Sequence, residues 1–289
     1  MTATARRAGR TAFVLGGGGA LGAVEVGMLR ALLEAGVRPD LVLGTSVGAL
    51  NGAFVAADPS PAAADRLARL WDGAAAEAFS TSLPRRLAVA VRSRTHVHPV
   101  GPLKRLVEGS LSARSFADLE VEFQCVAASV ERAAGHWFCS GPLVDAVLAS
   151  CAVPGLLPPV RVGDEHYLDG GLVDSVPVAR AVALGATTVY VLQVGRVQEP
   201  LTVPRWPWQV ATTAFEVVRR HAFSEAMASL PDEVDVHVLP TGEEPVGALD
   251  RRNLPAVQRR GMAERVDRAH RATERWLHER GAGPSGRAA

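Results

Sequence analysis

Cysteine is scarce: three in 289 residues, Cys125, Cys139 and Cys151. The count is odd and the spacing fits no metal-ligand pattern. That excludes a disulfide-stapled scaffold and a thiolate metal centre, and it predicts reduced thiols in a cytoplasm. A surplus of charge is missing too. Lys and Arg number 31 against 30 Asp and Glu, a net charge of +1, so nothing in the overall charge favours nucleic acid as a partner. No stretch approaches the ~18 consecutive apolar residues of a membrane-crossing helix. The N-terminus MTATARRAGRTAFVLGGGG is basic and then apolar, but its apolar run, Ala12–Leu15, is too short for the hydrophobic region of an export signal. There is no internal repeat. What is present is a chain 48% hydrophobic, which suits one large α/β domain. We read residues 1–10 as a flexible N-terminus and 11–280 as a single domain, more variable and mainly helical from about residue 200. The Gly/Pro/Ser-rich residues 281–289 read as a disordered tail.

The chain is organised around Leu41–Asn51, LVLGTSVGALN. A short apolar run leads into Gly44-Thr45-Ser46-Val47-Gly48, and a helix-competent stretch, Ala49–Ala57, follows. This is the pattern of a nucleophile elbow, G-x-S-x-G between a strand and a helix. The turn is so sharp that the serine is forced into strained backbone angles. Small residues two before and two after it, Gly44 and Gly48, let strand and helix approach. The hydroxyl then projects at the carboxyl edge of the sheet, above the positive end of the following helix. Taken alone, Ser46 would equally serve as an N-cap in a Gly-rich turn.

Upstream, Thr11–Leu15 reads as a buried strand. The glycine run Gly16–Gly19 and then Ala20-Leu21-Gly22 follow, and a helix pattern runs from Ala23 to Ala35, ended by Gly36. Strand, glycine run and helix form an anion-binding layout. Gly17-x-Gly19-x-x-Gly22 fits a dinucleotide fingerprint, which expects an acidic residue at the end of the second strand. Here that strand ends in Gly44-Thr45-Ser46, and Asp40 precedes it instead. We therefore rank an oxyanion hole first: backbone N–H groups aimed at charge developing on an attacked carbonyl. Consecutive strands of a βαβ unit commonly lie side by side, which would put the glycine loop next to Ser46. A turn used only for packing is the third alternative.

Further on, Ala62–Ala78 reads as a helix with Leu67, Leu70 and Trp71 on its core face. Phe79–Glu108 carries Arg85, Arg86, Arg92, Arg94, Lys104 and Arg105 against a single acid, Glu108. It reads first as a solvated basic face and second as a flap or a contact with an anionic membrane. His96-Val97-His98 has no neighbouring carboxylate or thiol, a poor metal set. Val121–Val130 is a strand with His136–Phe138 as its partner, and Leu143–Cys151 is helical. Ser150–Pro159 cannot stay helical beyond Ala152 and should pack as a fixed loop on the wall of a site. Cys151 reads as a buried small residue. His166-Tyr167-Leu168 is a short strand ending in Asp169-Gly170-Gly171, which either aims a carboxylate into a cleft or caps its own turn. The remainder reads as a helix over Val176–Leu184, starting near Pro177, and a strand over Thr188–Val194. A long helix over Pro204–Leu230 holds Trp206 and Trp208, then come a strand over Val234–Leu239 and an amphipathic helix over Pro255–Arg280. Leu254, Val257, Val266, Ala269 and Trp276 of that last stretch face the body.

Gly17–Gly22, Gly44–Gly48 and Asp169–Gly171 together resemble the patatin-like phospholipase family, which pairs G-x-G-x-x-G, G-x-S-x-G and D-G-[AG] in this order. The Ser150–Pro159 loop resembles the segment preceding the family's aspartate, and the likeness spans Ala12–Val194. The resemblance implies an α/β fold, a patatin-like three-layer sandwich with a central, mostly parallel sheet between helices. It implies a Ser–Asp dyad with Ser46 as nucleophile and Asp169 as base, and an oxyanion hole from the amides of Gly17, Gly18 and Gly19. Gly22, Gly44, Gly48, Gly170 and Gly171 support the motifs. The chain departs from many bacterial relatives at Leu21, where they carry Arg; this bears on preference for anionic head groups and not on the backbone amides.

The activity expected is hydrolysis of a lipid or acyl ester through an acyl-enzyme, with no metal and no cofactor. A free carboxylate, pKa ~3.9, is a poor base for serine, so the site must either raise that value by burial, for which Leu156, Leu157 and Leu168 are at hand, or bind the oxyanion strongly enough to compensate. Two rivals are a Ser–His–acid esterase using His221 or His237, and a nucleotide-binding module on Gly17–Gly22. A third is a silent lipid-binding protein. The expected location is cytoplasmic, with peripheral contact at the inner face of the membrane as the alternative. Oligomeric state is not readable.

Overall fold

The structure, a computed structural model, describes residues 9–72, 89, 92–93, 95–194, 201, 203–204, 207–242 and 261–281. Its strands are β1 (Arg10–Leu15), β2 (Leu41–Thr45), β3 (Glu122–Ser129), β4 (Ala134–Phe138), β5 (Val160–Val162), β6 (Glu165–Asp169), β7 (Ala186–Leu192) and β8 (Asp235–Val238). Its helices are α1 (Gly22–Glu34), α2 (Val47–Ala57), α3 (Pro61–Asp72), α4 (Gly101–Ser110), α5 (Leu143–Ser150), α6 (Val178–Ala183), α7 (Pro207–Ala228) and α8 (Met262–Glu279).

The described strands form one mixed sheet in the order β5-β6-β3-β2-β1-β7-β8, with β4 also paired to β3. β3, β2, β1, β7 and β8 run parallel, while β4, β5 and β6 pair antiparallel. The apolar runs of β1, β2 and β7 have period two with both faces covered, as parallel strands require. Phe13, Leu15, Val42, Tyr190 and Leu192 pack with α1, α2, α3, α5 and α8 on one face. Ala12, Val14, Leu41, Leu43, Val189 and Val191 pack with α6 and α7 on the other. The result is three layers, helices on sheet on helices, as the resemblance implied.

Register positions the site. Leu15 at the end of β1 lies opposite Gly44 on β2 and Leu192 on β7, so the carboxyl ends of three strands align. On β3, Thr45 pairs with Val126 and Asp169 pairs with Ala127, the next residue. Two chain segments far apart in sequence therefore meet at one point of β3.

Where β2 turns into α2 the backbones almost touch. A β-carbon on Gly44 would stand 2.6 Å from the Ala49 Cα, and one on Gly48 would stand 2.6 Å from the Leu15 carbonyl carbon. These neighbours are backbone and cannot swing aside. Gly48→Ala is expected to lower unfolding free energy by about 3 kcal/mol, the upper range for overpacking, read as a drop in urea midpoint at unchanged slope.

Some expectations shift. α2 starts at Val47 rather than Ala49, because Ser46 itself occupies the N-cap. α3 is described to Asp72, and residues 73–78 of that expected helix lie outside the described residues. Pro177 adopts φ −78°, ψ 56° and caps α6, which begins one residue after it, in keeping with a start near Pro177. Leu254, Val257, Trp206, Arg85, Arg86 and Arg94 lie outside the described residues, as does the side chain of Trp208. Among the described residues no helix is long and apolar enough to cross a membrane, and no three His, Cys, Asp or Glu side chains are grouped to hold a metal.

Candidate active site

Ser46 sits at φ 56°, ψ −122°, a left-handed conformation costly for any residue with a side chain. The tight strand-to-helix turn imposes it, and long-range bonds hold it. The Ser46 N–H donates to Ser150 Oγ at 2.9 Å, and Ser150 Oγ donates to the Val126 carbonyl at 2.7 Å. The Cys151 thiol donates to the Ser46 carbonyl at 3.0 Å. Thr45 Oγ1 donates to the Asp174 carbonyl at 2.8 Å. The expected fixed loop thus starts as a wall of the site: its first two residues grip the elbow.

Asp169 ends β6, where its N–H donates to the Ala152 carbonyl at 2.9 Å. The Ser46 hydroxyl donates to Asp169 Oδ2 at 2.6 Å, and the Gly171 N–H donates to Asp169 Oδ1 at 2.8 Å. The aspartate therefore both caps its own turn and faces the serine. Ser46 is 6% exposed and Asp169 2%. Burial pushes the Asp169 carboxyl up to about 6, and the two hydrogen bonds hold it from rising further. Burial also raises the Cys151 thiol well above its ordinary value, with Asp169 adding to the effect, so it is a protonated donor and no nucleophile. Asp174, which sequence reasoning passed over, is likewise raised to about 6 by burial.

The glycine run lies beside the elbow. Gly16 N–H donates to the Leu192 carbonyl at 3.0 Å and Gly17 N–H to the Ser175 carbonyl at 2.9 Å. Gly17 is thus no free donor, a correction to the expectation that all three glycines offer amides. Gly18 sits at φ −173°, ψ 6°, Gly19 is left-handed at φ 56°, and a 3-10 turn follows over Gly19–Leu21. The amides of Gly18 and Gly19 have no acceptor among the described residues. Leu21 is half-buried and packs against the core.

Behind the loop is a buried network invisible in local sequence. Asn51 Nδ2 donates to the Gly22 carbonyl at 3.0 Å and to Glu25 Oε2 at 2.7 Å, while Trp71 Nε1 donates to Asn51 Oδ1 at 2.9 Å. Burial holds the Glu25 carboxyl well above its ordinary range. These bonds fix α1, α2 and α3 to one another and so fix the start of α1.

The histidines stand elsewhere. His221 is exposed on α7, 3.5 Å from Glu225. His237, on edge strand β8, is 3.0 Å from Asp235 and packs on Tyr190 and Trp276. His96 Nδ1 lies 3.0 Å from Thr95 Oγ1. A nucleotide-binding acid at the end of β2 is absent, since that strand runs straight into Ser46.

The family model for patatin-like phospholipases matches residues 13–182. The chain belongs to the patatin-like phospholipase family. It is 32% identical over 186 residues to lysophospholipase NTE1 of Coccidioides immitis, which is 64% of this chain and 12% of that protein. It is 34% identical over 188 residues to a patatin-like phospholipase domain-containing protein of Caenorhabditis elegans, 64% of this chain and 14% of that one. The chain therefore spans a small part of these relatives' length. The crystal structure of VipD from Legionella pneumophila has a similar fold, with a TM-score of 0.50 at 16% identity, covering 94% of this chain and 67% of that one. Within the patatin-like fold, Gly17 and Asp169 both stand beside Ser46.

Proposed function

We propose that the protein hydrolyses carboxylic esters of lipids, with Ser46 as nucleophile and Asp169 as base. The observation that carries the proposal is the 2.6 Å hydrogen bond from the Ser46 hydroxyl to a buried carboxylate. Asp169 Oδ2 takes the Ser46 proton as Oγ bonds to the ester carbonyl carbon. The negative charge on the carbonyl oxygen is met by the amides of Gly18 and Gly19. Collapse breaks the bond to the alcohol, which leaves with the proton from Asp169. Water then attacks the acyl-enzyme, gives a proton to Asp169, and Ser46 recovers that proton as the fatty acid departs. A carboxylate raised to about 6 is still ionised at neutral pH and is a stronger base than an ordinary aspartate.

A lipid substrate is favoured by the family and by apolar surface beside the aspartate turn: Leu172 and Val173, directly after Gly171, are 37% and 38% exposed. These two would touch a bilayer or micelle from which a substrate is drawn, the form of peripheral contact we propose. Because relatives such as NTE1 of Coccidioides immitis are named lysophospholipases, a lysophospholipid in micelles is the first substrate to test. Release of free fatty acid is the expected result, and a folded protein that releases none from lysophospholipid, diacyl phospholipid or short ester would sink the proposal. His221→Ala and His237→Ala are each expected to keep activity within about twofold, since neither ring reaches the Ser46–Asp169 pair; a loss of 10²-fold in either would restore a Ser–His–acid mechanism.

A further inference from the structure

The segment after the aspartate motif carries a hydroxyl that the mechanism above leaves unused. Ser175 is 3% exposed, and its Oγ has no hydrogen-bond partner among the described residues. Buried hydroxyls are almost always paired, because an unpaired one keeps the full cost of its lost hydration. Its place beside the glycine loop is fixed by its own carbonyl, which accepts the Gly17 N–H at 2.9 Å. That bond also removes Gly17 from the donors available to a developing oxyanion.

Over the Cα of Gly17 lies a space of about one atom. A β-carbon built there would be 3.5 Å from Ser175 Oγ, 3.5 Å from Ser46 Cβ and 3.8 Å from the Thr45 carbonyl oxygen, with nothing nearer. The nucleophile borders this space on one side and the unpaired hydroxyl on the other. Once Ser46 Oγ has bonded to an acyl carbon, the former carbonyl oxygen lies two bonds beyond Oγ, within reach of the same space. A serine hydroxyl rotates freely and can turn its hydrogen toward that oxygen.

We infer that the Ser175 hydroxyl is a third donor of the oxyanion hole, beside the amides of Gly18 and Gly19. The inference rests on the Ser46–Asp169 reading. Ser175 breaks and forms no bond; it donates one hydrogen bond to the charged oxygen and keeps its proton. A donor unpaired in the resting enzyme and paired in the transition state acts on kcat and leaves ground-state binding alone. This accounts for a hydroxyl kept buried without a partner beside the nucleophile.

Two variants test it, with fatty-acid release, fluorophosphonate labelling and thermal unfolding read on each. Ser175→Ala removes a group that has no resting partner, so the thermal midpoint is expected to stay level or rise. Its kcat is expected to fall on the order of 100-fold, as for loss of one oxyanion donor, with KM within twofold. Gly17→Ala would place its methyl at ordinary contact distances, so it folds, but it fills the space; kcat and labelling rate are expected to drop together, at least as far as in Ser175→Ala. Wild-type kcat in Ser175→Ala, an effect confined to KM, or full activity in Gly17→Ala would each overturn the inference. So would a lower midpoint in Ser175→Ala, which would mean the hydroxyl is paired at rest. A wild type that neither labels at Ser46 nor releases fatty acid fails the underlying Ser46–Asp169 proposal instead, a result distinct from an active, labelled wild type whose variants are unimpaired.

Discussion

Asp169→Asn is expected to slow ester hydrolysis between about 10²- and 10⁴-fold, the range for loss of a general base, while the chain stays folded. Asparagine keeps the side-chain size and can still accept the Gly171 N–H that Oδ1 now accepts at 2.8 Å; what it cannot do is take a proton from Ser46. The pH profile carries a second signature. A base raised to about 6 makes wild-type activity climb as pH rises through about 6 and level off near neutrality. Asp174 is raised to a similar value, so the profile alone does not name its owner. Asp174→Asn is expected to keep the rise and Asp169→Asn to lose it with the activity. The same shift links to stability with the opposite sense. The folded carboxyl has a higher pKa than the unfolded one, so its favourable contribution is complete below about pH 3.8, the unfolded value, and is lost as pH rises through about 6. Urea denaturation between pH 4 and 7 would show this slope in the wild type and a shallower one in Asp169→Asn. Asp174 and Glu25, also raised, supply the rest.

Ser46→Ala is expected to abolish fluorophosphonate labelling and to cut hydrolysis by 10⁴-fold or more, because among the described residues no other activated nucleophile lies beside Asp169. Ser46→Gly is expected to be equally inactive and yet more stable than Ser46→Ala by about 1 kcal/mol. Both lose the hydroxyl and its bond to Asp169, so their difference isolates the backbone. At φ 56° alanine keeps the strain that glycine escapes. Equal midpoints for the two variants would mean that the elbow is relaxed and the turn carries no stored strain.

Much of this site could be read from the chain because its parts are local. Gly44-Thr45-Ser46-Val47-Gly48 specifies its turn within five residues, and Asp169-Gly170-Gly171 specifies a carboxylate at a strand end within three. The other strands and most helices were equally legible from their apolar patterns; β5, three residues long, and α4, inside a basic stretch, were not read. What stayed hidden depends on register between distant segments. No local pattern says that Ser150 Oγ will reach the Ser46 amide, that the Ser175 carbonyl will occupy Gly17, or that Asn51 will join Glu25 to Trp71. The Gly17 expectation failed for that reason: a glycine run shows how many amides a loop has and not which are already taken. The start of α2 moved to Val47 because Ser46 itself takes the N-cap.

The register of β3 has a kinetic consequence. Ser46 and Asp169 are 123 positions apart, and they meet only because β2 and β6 both dock on neighbouring residues of one strand. Loop closure over such a separation is slow compared with the helices and the local β3–β4 hairpin. During refolding, far-ultraviolet dichroism is therefore expected to recover before ester turnover; simultaneous recovery of the two would mean that the pair does not wait for the sheet. The serine elbow can form as a local strand–turn–helix unit, but the Ser46–Asp169 pair belongs to the finished topology.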